Sequence, residues 1–155
     1  GMVIPETGIA LHNRMHNFSF DEQHNNCLKP HKKTYHTIIP GFLMKDNKPV
    51  GPFGVMGAFM QPQGHVQVVT NLIDFHMNPQ EAIDAPRWQW IEGNNIEIEP
   101  EVPLHIVKDL MERGHIVNIQ PDPTTFGRGQ MILRTKEGTL CGGTEKRADG
   151  HIATW

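Results

Sequence analysis

The spacing of apolar residues changes several times along the chain, and each change marks an element. Thr37 to Met44 is apolar and β-prone, Asp46-Asn47-Lys48 supplies a turn, and Pro49 to Met56 is apolar again. This predicts a hairpin, with Pro40 and Pro52 confining its strands to edges or bulges because proline brings no N–H to a ladder. From His65 the period lengthens. Val66, Val69, Leu72, Ile73 and Met77 recur every three or four residues, as one face of a helix does. Asn78 then precedes Pro79, a cap residue followed by proline at the first helical position, so a second short helix runs up to Pro86. Residues 95–99, NIEIE, alternate like a half-exposed strand. Pro100 to Arg113 predicts a third helix with Leu104, Val107, Leu110 and Met111 inward, closed by Gly114.

The ends of the chain are less regular. Residues 2–12 read as two short extended pieces broken by Pro5 and Gly8, and Ser19 to Lys33 as a polar loop. Ile116–Ile119, Gln130–Arg134, Thr139–Cys141 and His151–Thr154 read as short strands between glycine turns. Strands, then helices, then strands define an α+β or layered domain, and the tail lacks the crossover helices of a purely parallel sheet.

Composition narrows the class. A length of 155 residues suits a single domain over 1–155. Apolar content of 37% with 20% charge is that of a folded chain. A net charge of -3 gives no basic excess for nucleic acid, and no apolar run approaches the ~18 residues of a membrane helix. No signal segment is legible, which leaves cytoplasmic and exported locations both open. Cys27 and Cys141 are the only cysteines, enough for one bridge or two free thiols.

Three groups of residues invite a chemical reading. His24, Cys27, His31 and His36 lie close together and are zinc-ligand types, but their spacing matches no standard finger. His12 and His16 have i,i+4 spacing in a stretch that reads as extended, so they need not share a face. Cys27 or Ser19 beside a histidine suggests an acyl-transfer pair, yet neither lies on a strand-turn-helix elbow and no GxSxG motif occurs. The third group is Gly57-Ala58, a small-residue pair between the hairpin and the first helix. Consecutive N–H groups ahead of a helix can make an anion site, although taken alone the pair is better explained as a plain tight turn.

The order of motifs decides between these. PETGIALHNRM, LKPHKK, HTIIPGFLMKDNKPV, FGVMGAFMQPQGHVQ, NLIDFHMNPQEAIDAPRW, FGRGQ and GGTEKRADG succeed one another over essentially the whole chain. In that order they resemble the small, C-terminal subunit of the γ-glutamyltransferase (glutathione hydrolase) family, closest to its bacterial cephalosporin-acylase-like branch. The resemblance implies part of a four-layer αββα sandwich of the N-terminal-nucleophile hydrolases. It implies a precursor that cleaves itself to expose a threonine, whose hydroxyl attacks the γ-glutamyl amide to give an acyl-enzyme. No cofactor and no metal are implied. By position, the backbone N–H groups of Gly57 and Ala58 correspond to the family's oxyanion hole, each donor contributing roughly 3 kcal/mol to the transition state.

Other positions depart from the family pattern. Arg14 and Asn17 stand where the family has a glutamine and an aspartate for the substrate's α-amino group, and His36 and Thr37 where it has two serines for the α-carboxylate. Losing a carboxylate and gaining a cation disfavours an ammonium ion, so hydrolysis of a different amide, or weak γ-glutamyl activity, is expected. The resemblance places the nucleophilic threonine ahead of Gly1 and an arginine-bearing large subunit outside these residues. The expected reading is therefore the C-terminal part of a γ-glutamyltransferase-like amidohydrolase, incomplete as written. It would act on a γ-glutamyl or acyl-amide small molecule and pair with the large-subunit portion or with itself. The competing reading is a non-catalytic remnant that binds a ligand or partner.

Overall fold

The hairpin read from the apolar pattern forms, and its second strand anchors the larger of two sheets. The computed structural model describes residues 1–155, which make two compact units, Gly1–Ile38 and Ile39–Trp155. In the second unit β1 (Gly41–Lys45) and β2 (Lys48–Met56) are antiparallel around Asp46-Asn47, both at positive φ as a tight hairpin turn requires. The register shifts between Leu43 and Met44, and the β2–β6 ladder covers only Phe53–Met56, so Pro52 falls outside it. Here β6 is Arg128–Arg134, the third strand of a sheet ordered β1-β2-β6-β7, with β7 at Leu140–Thr144.

Helix α1 (Met60–Ile73) begins five residues before the expected His65, because Pro62 sits in the first turn, where its missing N–H costs no helical bond. Its inward face also differs from the expected one. Met60, Gly64 and Val68 are buried, whereas Val66 and Ile73 are mostly exposed. Gly64 explains the choice. A Cβ there would lie 2.7 Å from Val55 Cγ1, so the helix approaches β2 along its glycine and places Val68 in the core with Val55, Ile83 and Met131.

Helix α2 (Pro79–Asp84) starts where predicted. Asn78 accepts from the Glu81 N–H at 2.9 Å and Glu81 accepts from the Asn78 N–H at 2.9 Å, a reciprocal capping box. The next strand, β3 (Trp88–Glu92), has no counterpart among the elements expected from the sequence. It pairs with β4 (Asn95–Ile98), which runs parallel to β5 (Ile116–Ile119) after the crossover helix α3 (Leu104–Glu112). Of the four residues expected to face inward from α3, Val107 is buried and Leu110 half-buried, while Leu104 and Met111 are exposed. Ile96, Ile98 and Val107 form the second core cluster. Residues His151–Thr154 form no strand, a correction to the expectation.

The first unit has little regular structure. Val3 and Ala10 bridge its two extended pieces, and a 3-10 turn covers Arg14–Asn17. The polar stretch folds around the carboxamide of buried Asn26, which donates to the Asn17 carbonyl (2.8 Å) and Thr34 Oγ1 (3.1 Å) and accepts from the Tyr35 N–H (3.3 Å). One satisfied amide thus does for this loop what a strand ladder would do elsewhere.

Candidate active site

Gly57 and Ala58 occupy the turn between β2 and α1. Their carbonyls accept from the Met60 N–H (2.9 Å) and the Gln61 N–H (3.1 Å), so both peptides are committed to the start of the helix. Their own N–H groups precede it and find no acceptor within it. Gly57 has φ +150° and Ala58 φ +51°. The alanine therefore sits in the left-handed region, at a strain of order 1–3 kcal/mol, and holds the turn shape a second glycine would adopt freely. A Cβ on Gly57 would lie 2.9 Å from the Gly127 Cα, so at this point two backbones touch without an intervening side chain.

The turn is braced from beneath. His65 Nε2 accepts the Val55 N–H at 3.0 Å, and its ring tilts against Phe53 with centroids 5.1 Å apart. Burial lowers the His65 pKa, which favours the neutral imidazole that can accept this bond. Deeper lies a network of two arginines and two glutamates. Arg87 Nη2 donates to Glu145 Oε2 (2.8 Å), Arg147 Nη1 to Glu145 Oε1 (2.7 Å), and Arg147 pairs with Glu99. All four side chains are almost fully buried, and the two positive and two negative charges balance. Burial pushes the Glu145 carboxyl up, but Arg87, the Gly129 N–H and Arg147 together hold it below the usual carboxylate range.

The residues expected to bind substrate fall in the first unit. Arg14, His36 and Thr37 line a single cleft of about 840 Å³, within the size range of small-molecule sites. Asn17 is not part of the lining; its carbonyl is taken by Asn26. The Arg14 guanidinium donates to Thr37 Oγ1, and His36 Nδ1 lies 2.8 Å from the Ile38 carbonyl oxygen and 3.1 Å from the Ile38 nitrogen. Lys29, Lys32 and Lys33 add three more cations to the lining, which contains no aspartate or glutamate. Such a wall attracts anions and offers an ammonium ion no carboxylate.

The remaining candidates come apart. No group of three or more His, Cys, Asp or Glu side chains is placed to hold a metal ion. His12 and His24 instead turn Nδ1 to local backbone N–H groups, those of Arg14 and Asn26. Ser19 Oγ accepts the Asp21 N–H, and Cys27, 3% exposed, is out of reach of a substrate. Both cysteines are free thiols. Sequence reasoning misses Gly127, Arg87 and Glu145. Their one signal is the glycine pair of FGRGQ, since charged residues do not announce burial by periodicity.

Residues 1–155 match the family described as Gamma-glutamyltranspeptidase over their full length, and the chain belongs to that family. The glutathione hydrolase-like YwrD proenzyme of Bacillus subtilis is 36% identical over 151 residues, covering 94% of this chain and 29% of the relative. The oxamate amidohydrolase proenzyme of Klebsiella pneumoniae is 33% identical, covering 99% and 30%. Among solved structures, the cephalosporin acylase from Bacillus halodurans superposes with a TM-score of 0.91 at 59% identity, over 96% of this chain and 28% of that one. The chain thus spans less than a third of the length of each. The α+β elements, with two sheets and three helices, belong to the N-terminal-nucleophile hydrolase fold of these proteins.

Proposed function

We propose that residues 1–155 supply the oxyanion hole of a γ-glutamyltransferase-family amidohydrolase, as the C-terminal portion of a longer two-part enzyme. The observation that carries this reading is the Gly57-Ala58 turn. Two successive peptides at positive φ, fixed between a strand and a 14-residue helix, offer N–H groups at the helix's positive end. In the mechanism, the threonine hydroxyl that the family resemblance places ahead of Gly1 attacks the amide carbonyl. The Gly57 and Ala58 N–H groups receive the oxyanion, the amine leaves with a proton, and water releases the acid from the acyl ester.

The cleft of the first unit, taken by itself, supports an anionic substrate class. Arg14 beside Thr37, with the lysine wall around them, suits an acyl group that carries a carboxylate and no ammonium. A glutaryl amide is accordingly the preferred donor and a γ-glutamyl amide the poorer one. The same Arg14 and lysine lining supports a second reading, in which the pocket binds an anionic ligand without turnover.

The test is hydrolysis of glutaryl and γ-glutamyl p-nitroanilides by the full-length protein. Turnover with glutaryl ahead supports the first reading. Arg14→Gln is then expected to shift the kcat/KM ratio toward the γ-glutamyl donor by roughly tenfold, or about 1.4 kcal/mol. Binding of glutarate with no turnover of either anilide would leave the second reading standing.

A further inference from the structure

The Met56–Gly57 peptide carries both a carbonyl that meets the Gly127 turn and the first N–H of the candidate oxyanion hole. In a planar trans peptide these two groups point in opposite directions, so whatever fixes the carbonyl also aims the N–H. Gly127 has φ +78°, and a Cβ there would lie 2.7 Å from the Met56 carbonyl oxygen and 2.8 Å from Val55 Cγ1. Only glycine fits, and its backbone abuts the back of the peptide whose front faces the site.

The Gly127 turn is in turn held by one ion pair. Arg87 Nη1 donates to the carbonyls of Phe126 (3.0 Å) and Gly127 (3.1 Å), while Nη2 donates to the Ile83 carbonyl (2.9 Å) and Glu145 Oε2 (2.8 Å). The same Glu145 oxygen accepts the Gly129 N–H at 2.6 Å. Three of the four residues from Phe126 to Gly129 are thereby bonded to the Arg87–Glu145 pair. A buried ion pair is often no more stabilising than apolar residues of equal volume, so its placement here asks for another reason.

We propose that Arg87, Glu145 and Gly127 are positioning residues for the oxyanion hole. The ion pair clamps the Phe126–Gly129 turn, Gly127 bears on the Met56 carbonyl, and the Gly57 N–H is held at the angle the developing oxyanion needs. This rests on the reading of Gly57-Ala58 given above.

The test compares Gly127→Ala, Glu145→Gln and the destabilising control Val107→Ala in the full-length protein, with glutaryl p-nitroanilide as substrate. Val107 lies in the second core cluster, away from this turn. Gly127→Ala is expected to lower kcat by about tenfold or more with KM within about twofold, the split that loss of a transition-state donor gives. Glu145→Gln keeps an acceptor for the Gly129 N–H and is expected to lose less kcat. Val107→Ala is expected to lower Tm alone. Unchanged kcat in both turn variants, with only Tm reduced, would overturn the proposal.

A wild-type protein that hydrolyses no anilide would mean failure of the function, not of the positioning. Crystal structures then decide the matter without activity. A rotated Met56–Gly57 peptide in Gly127→Ala supports the clamp, and an unmoved one refutes it. Should Gly127→Ala fail to fold, Glu145→Gln serves for both measurements.

Discussion

At the scale of single residues, Ala58 and His65 shape the turn that carries the chemistry. Ala58 at φ +51° carries strain that glycine would not. Relief of about 1–2 kcal/mol, less the roughly 0.5–1 kcal/mol of extra glycine entropy, leaves Ala58→Gly more stable by roughly 0.5–1 kcal/mol. Denaturant unfolding would show it. His65 gives the turn a pH dependence. Its pKa lies below 6.5 in the folded protein, so the unfolded chain binds more protons as acid is added. The stabilising contribution is complete above about pH 6.5 and is lost as pH falls through the folded value. Unfolding midpoints taken on either side of that window should therefore separate for the native protein and converge for His65→Gln. The small pair is legible in the sequence because a glycine followed by alanine between two periods is a local signal. The direction of its N–H groups is not, since that depends on Gly127, far along the chain.

At the scale of elements, local rules decide what can be read. Helix α2 is the clearest case, because Asn78, Pro79 and Glu81 specify its start within four residues. Asn78→Ala should cost about 1 kcal/mol, measurable as a lower Tm with unchanged kcat. Strand β3 escapes a sequence reading for a physical reason. Gln63 Oε1 accepts the Trp90 N–H (2.6 Å) and its Nε2 donates to the Trp90 carbonyl (3.2 Å). Gln67 does the same for Trp88, at 3.0 and 2.8 Å. Two carboxamides one helical turn apart thus stand in for a neighbouring strand, satisfying an edge that would otherwise be open to pairing. The inward face of α1 is obscured for a related reason: Gly64 has no apolar side chain to count, yet it allows the closest approach to β2.

At the scale of the whole molecule, burial and exposure are both unusual. Four charged side chains lie in the interior of the second unit, and Glu145 joins residues as distant as Arg87, 58 positions away. No periodicity could have shown this. Replacing Glu145 with alanine leaves the buried Arg87 guanidinium without its carboxylate and Arg147 with Glu99 alone, and should cost about 3–5 kcal/mol, readable as a collapse in thermal stability. Trp88, Trp90, Phe42, Met56, Ile116 and Ile119 are meanwhile all more than two-fifths exposed. In a chain that spans under a third of its relatives, such surface calls for a covering partner, so residues 1–155 alone should self-associate in sedimentation. A stable monodisperse monomer would contradict that. The most direct test of the oxyanion-hole assignment is a crystal structure of the full-length protein with a boronic-acid analogue of glutarate, which forms a tetrahedral adduct with a hydroxyl nucleophile. An adduct oxygen about 2.7–3.1 Å from both the Gly57 and the Ala58 nitrogen is the predicted result. An adduct whose oxygen is held by other donors, with these two N–H groups turned away, would contradict it.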